Sequence, residues 1–312
     1  MSVSIRLLLL LPVLALLAIF APSPGLSHAA TRKAPPVVGI ADQKPDFLSD
    51  PAFLGLGVKH ARVAVAWDAL KTSWQVDELD KWMNTAHAAG VQPLVTFSSS
   101  RLPGRAHRFP TPSQLQAQFR AFRVRYPWVR DFSAWNEPNH LGVKPELNAR
   151  YYVALKRSCK ACHVLAADLL DLPSTANWVR RFVKAAHQQP RYWGVHNYVA
   201  ANRFQTTSLK QLLNVTKGEI WLTETGGLVA RRNGSKIKLP QGKSHAAQVT
   251  RFILRNVVGL SPRITHVYLY QWGGGSSKET WDSGFVGSDG KPRPALGVLK
   301  QILAAAPRVS RA

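Results

Sequence analysis

Acidic residues are scarce: 17 Asp and Glu face 41 Lys and Arg, a formal charge of +24, and only six of the acids are Glu. So few carboxylates leave no cluster with the make-up of a metal site. Cysteine is scarcer still, with Cys159 and Cys162 alone. Zinc would need more ligands than His163 beside them provides, and a thioredoxin-like pair should open a helix after a strand, whereas "SCKACH" closes a helical pattern. A local disulfide is the leading expectation for an exported chain and two free thiols are the alternative. Beyond the first segment no apolar run approaches the roughly 20 residues of a membrane span. No Gly-rich phosphate loop follows any strand candidate, no low-complexity linker divides the chain, and no aromatic or helix-turn-helix reader accompanies the basic residues, so nucleic acid is not an expected partner.

The first segment is present and legible. Arg6 precedes an apolar run from Leu7 to Phe20, and small residues follow at Ser27 to Ala30, the pattern of a secretory signal peptide cleaved near Ala29 or Ala30. An uncleaved anchor is the alternative. With no Cys near the cleavage region a lipid anchor is not expected. The expected organisation is a signal peptide over 1–30, a short tail over 31–36, one domain over 37–306 and a tail over 307–312. The basic residues are spread along the chain, as in Arg101, Arg105 and Arg108, then Arg120, Arg123, Arg125 and Arg130, then Arg231 and Arg232. Such a field attracts anionic surfaces.

Eight segments rich in β-branched and aromatic residues recur: Val37 to Asp42, His60 to Trp67, Val91 to Ser98, Val129 to Glu137, His163 to Leu170, Arg191 to Tyr198, Glu219 to Thr225 and His266 to Gly273. Amphipathic stretches separate them. Thr111 and Pro112 read as the N-cap and first residue of one helix, and Gly90 as the C-terminal cap of another. Eight strands alternating with eight helical segments predict a single (β/α)₈ barrel, with an open doubly wound sheet as runner-up.

In such a barrel chemistry sits where the strands end. Two of the six Glu fall there: Glu137 at the end of the fourth strand and Glu224 at the end of the seventh. Asp42, Asp168 and Asp171 also lie near the rim. Two carboxylates across a barrel mouth suit glycoside cleavage, one as acid and one as nucleophile.

"WNEPN" at strand four, "HNY" at strand six, "WLTETG" at strand seven and "YQW" at strand eight, in that order, resemble clan A of the glycoside hydrolases, near families 5, 39 and 128. The resemblance spans Val37 to about Leu303 and implies a retaining (β/α)₈ enzyme. It makes Glu137 the acid/base and Glu224 the nucleophile, and gives Asn136 the sugar's 2-hydroxyl. His196 and Tyr198 fall near the carboxylates, with Tyr198 donating to Glu224. Arg62 becomes the cation beside the nucleophile, and Trp272 the ring beneath the sugar. Each has a plainer alternative: packing for Trp272, an ion pair for Arg62, a core histidine for His196. Asp42, Trp67, Asp68, Asn139, His140 and Trp281 are further candidate contacts. The chemistry implies no cofactor and no metal. The implied partner is an oligo- or polysaccharide, with acidic polymers in keeping with the basic field, and the protein is expected to be a monomer. A transglycosylase with the same two Glu and a non-catalytic carbohydrate-binding barrel are the rival readings. The sequons at Asn214 and Asn233 matter only in a glycosylating host.

Overall fold

A computed structural model describes residues 35–232, 237–275 and 279–305. The expected leader at 1–30, most of the tail at 31–36, the C-terminal tail at 307–312 and the sequon residue Asn233 lie outside the described residues.

Eight parallel strands close into a barrel in chain order: β1 (Val37–Ala41), β2 (His60–Ala66), β3 (Gln92–Ser98), β4 (Asp131–Ser133), β5 (His163–Leu170), β6 (Tyr192–His196), β7 (Glu219–Thr225) and β8 (Ile264–Tyr270). Closure is made by β1 against β8, from Val37 opposite His266 to Ala41 opposite Tyr270. The outer layer comprises α1 (Pro51–Leu54), α2 (Ser73–Ala88), α3 (Pro112–Arg125), α5 (Pro145–Ser158), α6 (Thr175–Ala186), α8 (Thr207–Val215), α9 (Lys243–Phe252) and α10 (Pro294–Ala305). Two short helices, α4 (Pro138–Leu141) and α7 (Tyr198–Asn202), follow directly on β4 and β6. The expected barrel is therefore the observed one, with rim helices added where the candidate site residues fall.

Local chemistry sets the helix ends. Thr111 caps α3 in a reciprocal box with Gln114, and Pro112 opens the helix where its missing N–H costs nothing. Gly90 adopts φ +62° just beyond α2, ending that helix. Cys159 and Cys162 are joined in a disulfide between α5 and β5, with Cα atoms 5.4 Å apart.

Two apolar layers result. The larger lies between strands and helices. The smaller fills the barrel interior with Ala41, Leu94, Leu165, Tyr192, Trp221 and Tyr268, so the barrel is floored rather than hollow. His266 stacks on Trp221 with ring centroids 3.6 Å apart. Above this floor the interior turns polar.

Strict alternation would not produce that polar layer. In β5, Leu165 faces the interior and Ala166 and Ala167 both pack into the outer layer. The register against β6 shifts between Leu165 and Asp168. In β7, Trp221 faces inward and Leu222 outward. Gly194 and His196 of β6 then oppose Trp221 and Glu224, so two residues of β6 match three of β7. Each extra residue is a bulge that turns the next carboxylate inward. The fourth strand is likewise shorter than expected: regular pairing ends at Ser133, Ala134 and Trp135 both join the outer layer, and Asn136 returns as an isolated bridge to Asp168.

Candidate active site

Arg62, from the middle of β2, is 2% exposed and forms the hub. Its Nε and Nη2 donate to Asp168 Oδ2 at 3.1 and 2.7 Å, Nη2 also donates to Asn136 Oδ1 at 2.7 Å, and Nη1 donates to Glu224 Oε2 at 2.7 Å. Thr96 Oγ1 donates to the same Asp168 oxygen at 2.8 Å. Asp168 is wholly buried, and the Arg62 cation with His196 holds its carboxyl far below the ordinary range despite that burial. Arg62 is pushed the other way, its proton held more firmly because Asp168 and Glu224 outweigh its desolvation.

Glu137 follows the strand-four bridge in a left-handed conformation, φ 45° and ψ 45°, and Pro138 then opens α4. A non-glycine residue is strained there, a cost typical of functional positions. Its N–H donates to the Asp168 carbonyl at 2.8 Å, which fixes the turn. Glu137 Oε1 lies 2.8 Å from His196 Nδ1. The other nitrogen of the same ring, Nε2, lies 4.0 Å from Glu224 Oε2 and 3.7 Å from Asp168 Oδ2. One buried imidazole thus touches the surroundings of both Glu. Tyr198, the first residue of α7, donates through its hydroxyl to Glu224 Oε1 at 3.1 Å.

These contacts set the proton affinities. Burial alone would raise Glu137, but hydrogen bonding and charge from His196 reverse it, and the carboxyl ends below its ordinary value. Burial likewise opposes a charge on His196, yet Glu224, Asp168 and Glu137 together raise it to about 9. The site thus sets two cations, Arg62 and His196, against the carboxylates of Asp168 and Glu137, with Glu224 held between Arg62 and Tyr198.

Gly194 of β6 makes this packing possible. A Cβ there would sit 2.1 Å from Asp168 Oδ1 and 2.8 Å from the Ala167 carbonyl. A side chain at 194 and a carboxylate at 168 compete for one space.

The remaining sequence candidates are placed as follows. Trp272, expected beneath a bound sugar, is 3% exposed; its ring packs edge-on against Phe53 with centroids 5.6 Å apart, and Nε1 donates to Asp50 Oδ2 at 2.8 Å. It is a packing residue in this structure because β8 ends at Tyr270, two residues before the expected position. Tyr270 is half-buried, and its hydroxyl is pushed up by burial and then by Glu224 and Asp42. Asp42 accepts backbone N–H groups of Lys44, Trp272 and Gly273. Asp68 accepts from Ser100, Asn139 bonds the Leu170 backbone and Thr175, and Asp171, raised to about 6 by burial, accepts from Ala200 N–H. All four carboxylate or amide groups have structural partners. Trp67 is half-buried beneath Lys71, whose Nζ lies 5.1 Å from the ring centre, and His140 is exposed at the end of α4. Trp281 is closer to the chemistry: its ring meets Tyr198 edge-on at 4.7 Å, and Arg231 lies over it at 5.5 Å.

Sequence reasoning did not foresee Asp168 and Thr96 as the partners of Arg62, or Tyr270 as the strand-eight aromatic nearest Glu224. Counting β8 from its pairing with β1 would have found Tyr270. Nothing in the sequence announces the bulge that turns Asp168 inward.

Solved structures similar to this chain include glycoside hydrolases. A family 39 glycoside hydrolase from the gut symbiont Bacteroides cellulosilyticus WH2 aligns with a TM-score of 0.60 at 14% identity over 88% of this chain, which spans only 64% of that enzyme. GH5_18 from Streptomyces cattleya, solved in complex with GlcNAc, aligns with a TM-score of 0.62 at 15% identity over 90% of this chain and 82% of the other. Xylanase B from Clostridium stercorarium F9 gives 0.62 at 14% identity over 86% and 97%. What these structures share with this chain is the barrel. No family model matches the chain, and no curated protein matches it.

Proposed function

We propose that this protein is a retaining glycoside hydrolase that cleaves β-glycosidic bonds of an extracellular polysaccharide, with Glu137 as acid/base and Glu224 as nucleophile. The observation that carries the proposal is that both Glu, 87 residues apart in sequence, lie within 4.0 Å of the same buried imidazole of His196. The likeness to glycoside hydrolase barrels and the strand-end motifs support it. Export follows from the leader read at 1–30.

In the first step a Glu224 oxygen bonds to the anomeric carbon while the bond to the leaving oxygen breaks, its electron pair going to that oxygen with the proton from Glu137. In the second, Glu137 takes a proton from water, whose oxygen bonds to the same carbon and releases Glu224. Arg62 and Tyr198 hold one oxygen of Glu224 each, which fixes the carboxylate and stabilises it as a leaving group. Asn136 spends its carbonyl on Arg62, leaving its amide N–H to donate to a sugar hydroxyl. Glu137 begins as a carboxylate paired with His196⁺, the form the second step needs. A sugar covering its 21% exposed side chain removes water and favours moving the shared proton onto the carboxyl for the first step.

The test is a panel of β-glucans, mannan, xylan and uronic-acid polymers with wild type, Glu137→Ala and Glu224→Ala. Loss of either carboxyl should lower kcat by roughly 10²–10⁴-fold or more. Proton NMR of the first product should show the β-anomer. An α-anomer excludes double displacement, full activity of Glu224→Ala excludes that nucleophile, and binding without cleavage by wild type favours a carbohydrate-binding barrel. Product analysis with added acceptor sugars separates hydrolysis from transglycosylation.

A further inference from the structure

Away from the carboxylates, two adjoining concavities share Lys156 and Lys160. One runs over α5 between α3 and α6, with Arg150, Lys156, Arg157 and Lys160 on its lining; the other lies where β5 and β6 begin, with His163 and Arg191. No Asp or Glu lines either one. Arg150, Lys156, Arg157, Lys160 and Arg191 are exposed, and none of them forms an ion pair with an acid among the described residues. The acidic groups that face this end, Asp131 and Glu219, are already engaged: Asp131 with His163 Nδ1 at 2.8 Å, and Glu219 with Thr265 and Trp221.

The cations are arranged rather than scattered. Arg150 and Arg157 are seven residues apart on α5, two helical turns or about 10 Å on one face. Lys156 is held by Gln188 Oε1 at 2.9 Å and lies 5.7 Å over the Tyr152 ring, and Arg191 lies 5.3 Å over Tyr192. Lys160 sits inside the loop that the Cys159–Cys162 disulfide closes, which limits how far its backbone can stray. These restraints reduce the entropy lost when a ligand binds.

We infer that this groove is a second, non-catalytic site that binds a strand of carboxylate-bearing polysaccharide and holds the proposed enzyme on its polymer. The choice of a sugar polymer rests on the function proposed above. The charge is complementary, and the tyrosine rings of the groove are closed to base stacking: Tyr152 and Tyr192 are 1% and 8% exposed and covered by their cations, which leaves only the imidazoles of His163 and His187.

The experiment measures retention of the full chain on immobilised polygalacturonate, neutral dextran, polyphosphate and double-stranded DNA. The groove variant carries Arg150→Gln, Lys156→Gln, Arg157→Gln and Lys160→Gln; a charge-matched control carries Lys210→Gln, Lys217→Gln, Arg251→Gln and Lys300→Gln on α8, α9, α10 and the loop after α8. With four exposed charged contacts removed, the groove variant should bind polygalacturonate roughly tenfold more weakly, with the control within about twofold of wild type. Hydrolysis of a small aryl glycoside should be the same in all three. Equal loss in the control, or no retention by wild type, overturns the site; groove-dependent retention of DNA or polyphosphate in place of polygalacturonate overturns the ligand class. Retention is read equally in Glu224→Ala, so failure of the groove and failure of the catalytic assignment are separate results.

Discussion

His196 is the side chain shared by the two Glu of the site. Its imidazolium and the Glu137 carboxylate hold one proton between them, so the pair titrates as a unit. His196 is raised from its ordinary 6.5 to about 9, so the stabilisation it gains on folding is complete below 6.5 and is lost as pH rises through about 9. Glu137 is depressed, so its share is present above the ordinary 4.5 and is lost as pH falls through its lowered value. The pair therefore keeps its one proton across the neutral range. The basic limb of kcat/KM for the proposed hydrolysis is expected near the upper value. His196→Asn leaves Glu137 to hold the proton alone, and the limb should move down by about one pH unit or more, as measured on a small aryl glycoside. An unmoved limb would separate His196 from the acid.

At the scale of elements, the bulges in β5 and β7 matter more than the strands' propensities. The alternation of β7 taken from Trp221 puts 223 and 225 inward, yet the structure presents Glu224 to Arg62 and Tyr198. The barrel and its eight strands were legible because each apolar run ends in turn residues before an amphipathic helix. The end of β7 beside Glu224 was legible for the same reason, whereas β4 and β6 stop at Ser133 and His196, short of the expected Glu137 and Tyr198. The facing of Asp168 was not, because a bulge is set by pairing with neighbouring strands rather than by local pattern. Trp272 was misplaced by two residues for a related reason: "YQWG" extends the apolar character of β8 past Tyr270, where its pairing ends. Asp168→Ala tests the energetic weight of the β5 bulge. It strips the buried Arg62 of the carboxylate oxygen that accepts two of its N–H donors, and loss of one member of a buried ion pair costs about 3–5 kcal/mol. Urea unfolding should show a loss of this size; a change under about 1 kcal/mol would mean that Glu224 and Asn136 suffice for Arg62.

The whole molecule has an electrostatic division. Its formal charge is +24, whereas the cluster at the barrel mouth gathers three of the chain's few acidic side chains, Glu137, Asp168 and Glu224, around Arg62 and His196. Gathered carboxylates favour the cationic sugar of a glycosyl-transfer transition state, and the surrounding excess of positive charge favours anionic polymers. The same excess makes the folded chain repel itself. Raising ionic strength from about 0.01 M to about 0.15 M shortens the screening length from about 30 Å to about 8 Å. The melting temperature at pH 7 should rise over that interval, and a fall would mean that surface ion pairs such as Arg181 with Glu146 outweigh the repulsion.

Gly194 imposes a constraint of a different kind, on the routes by which the sequence can change. Every replacement of that glycine adds a Cβ overlapping the Asp168 carboxylate, and Asp168 in turn neutralises the cation that holds Glu224. Positions 62, 168 and 194 therefore form an epistatic unit. A change at one of them alters what the other two can tolerate.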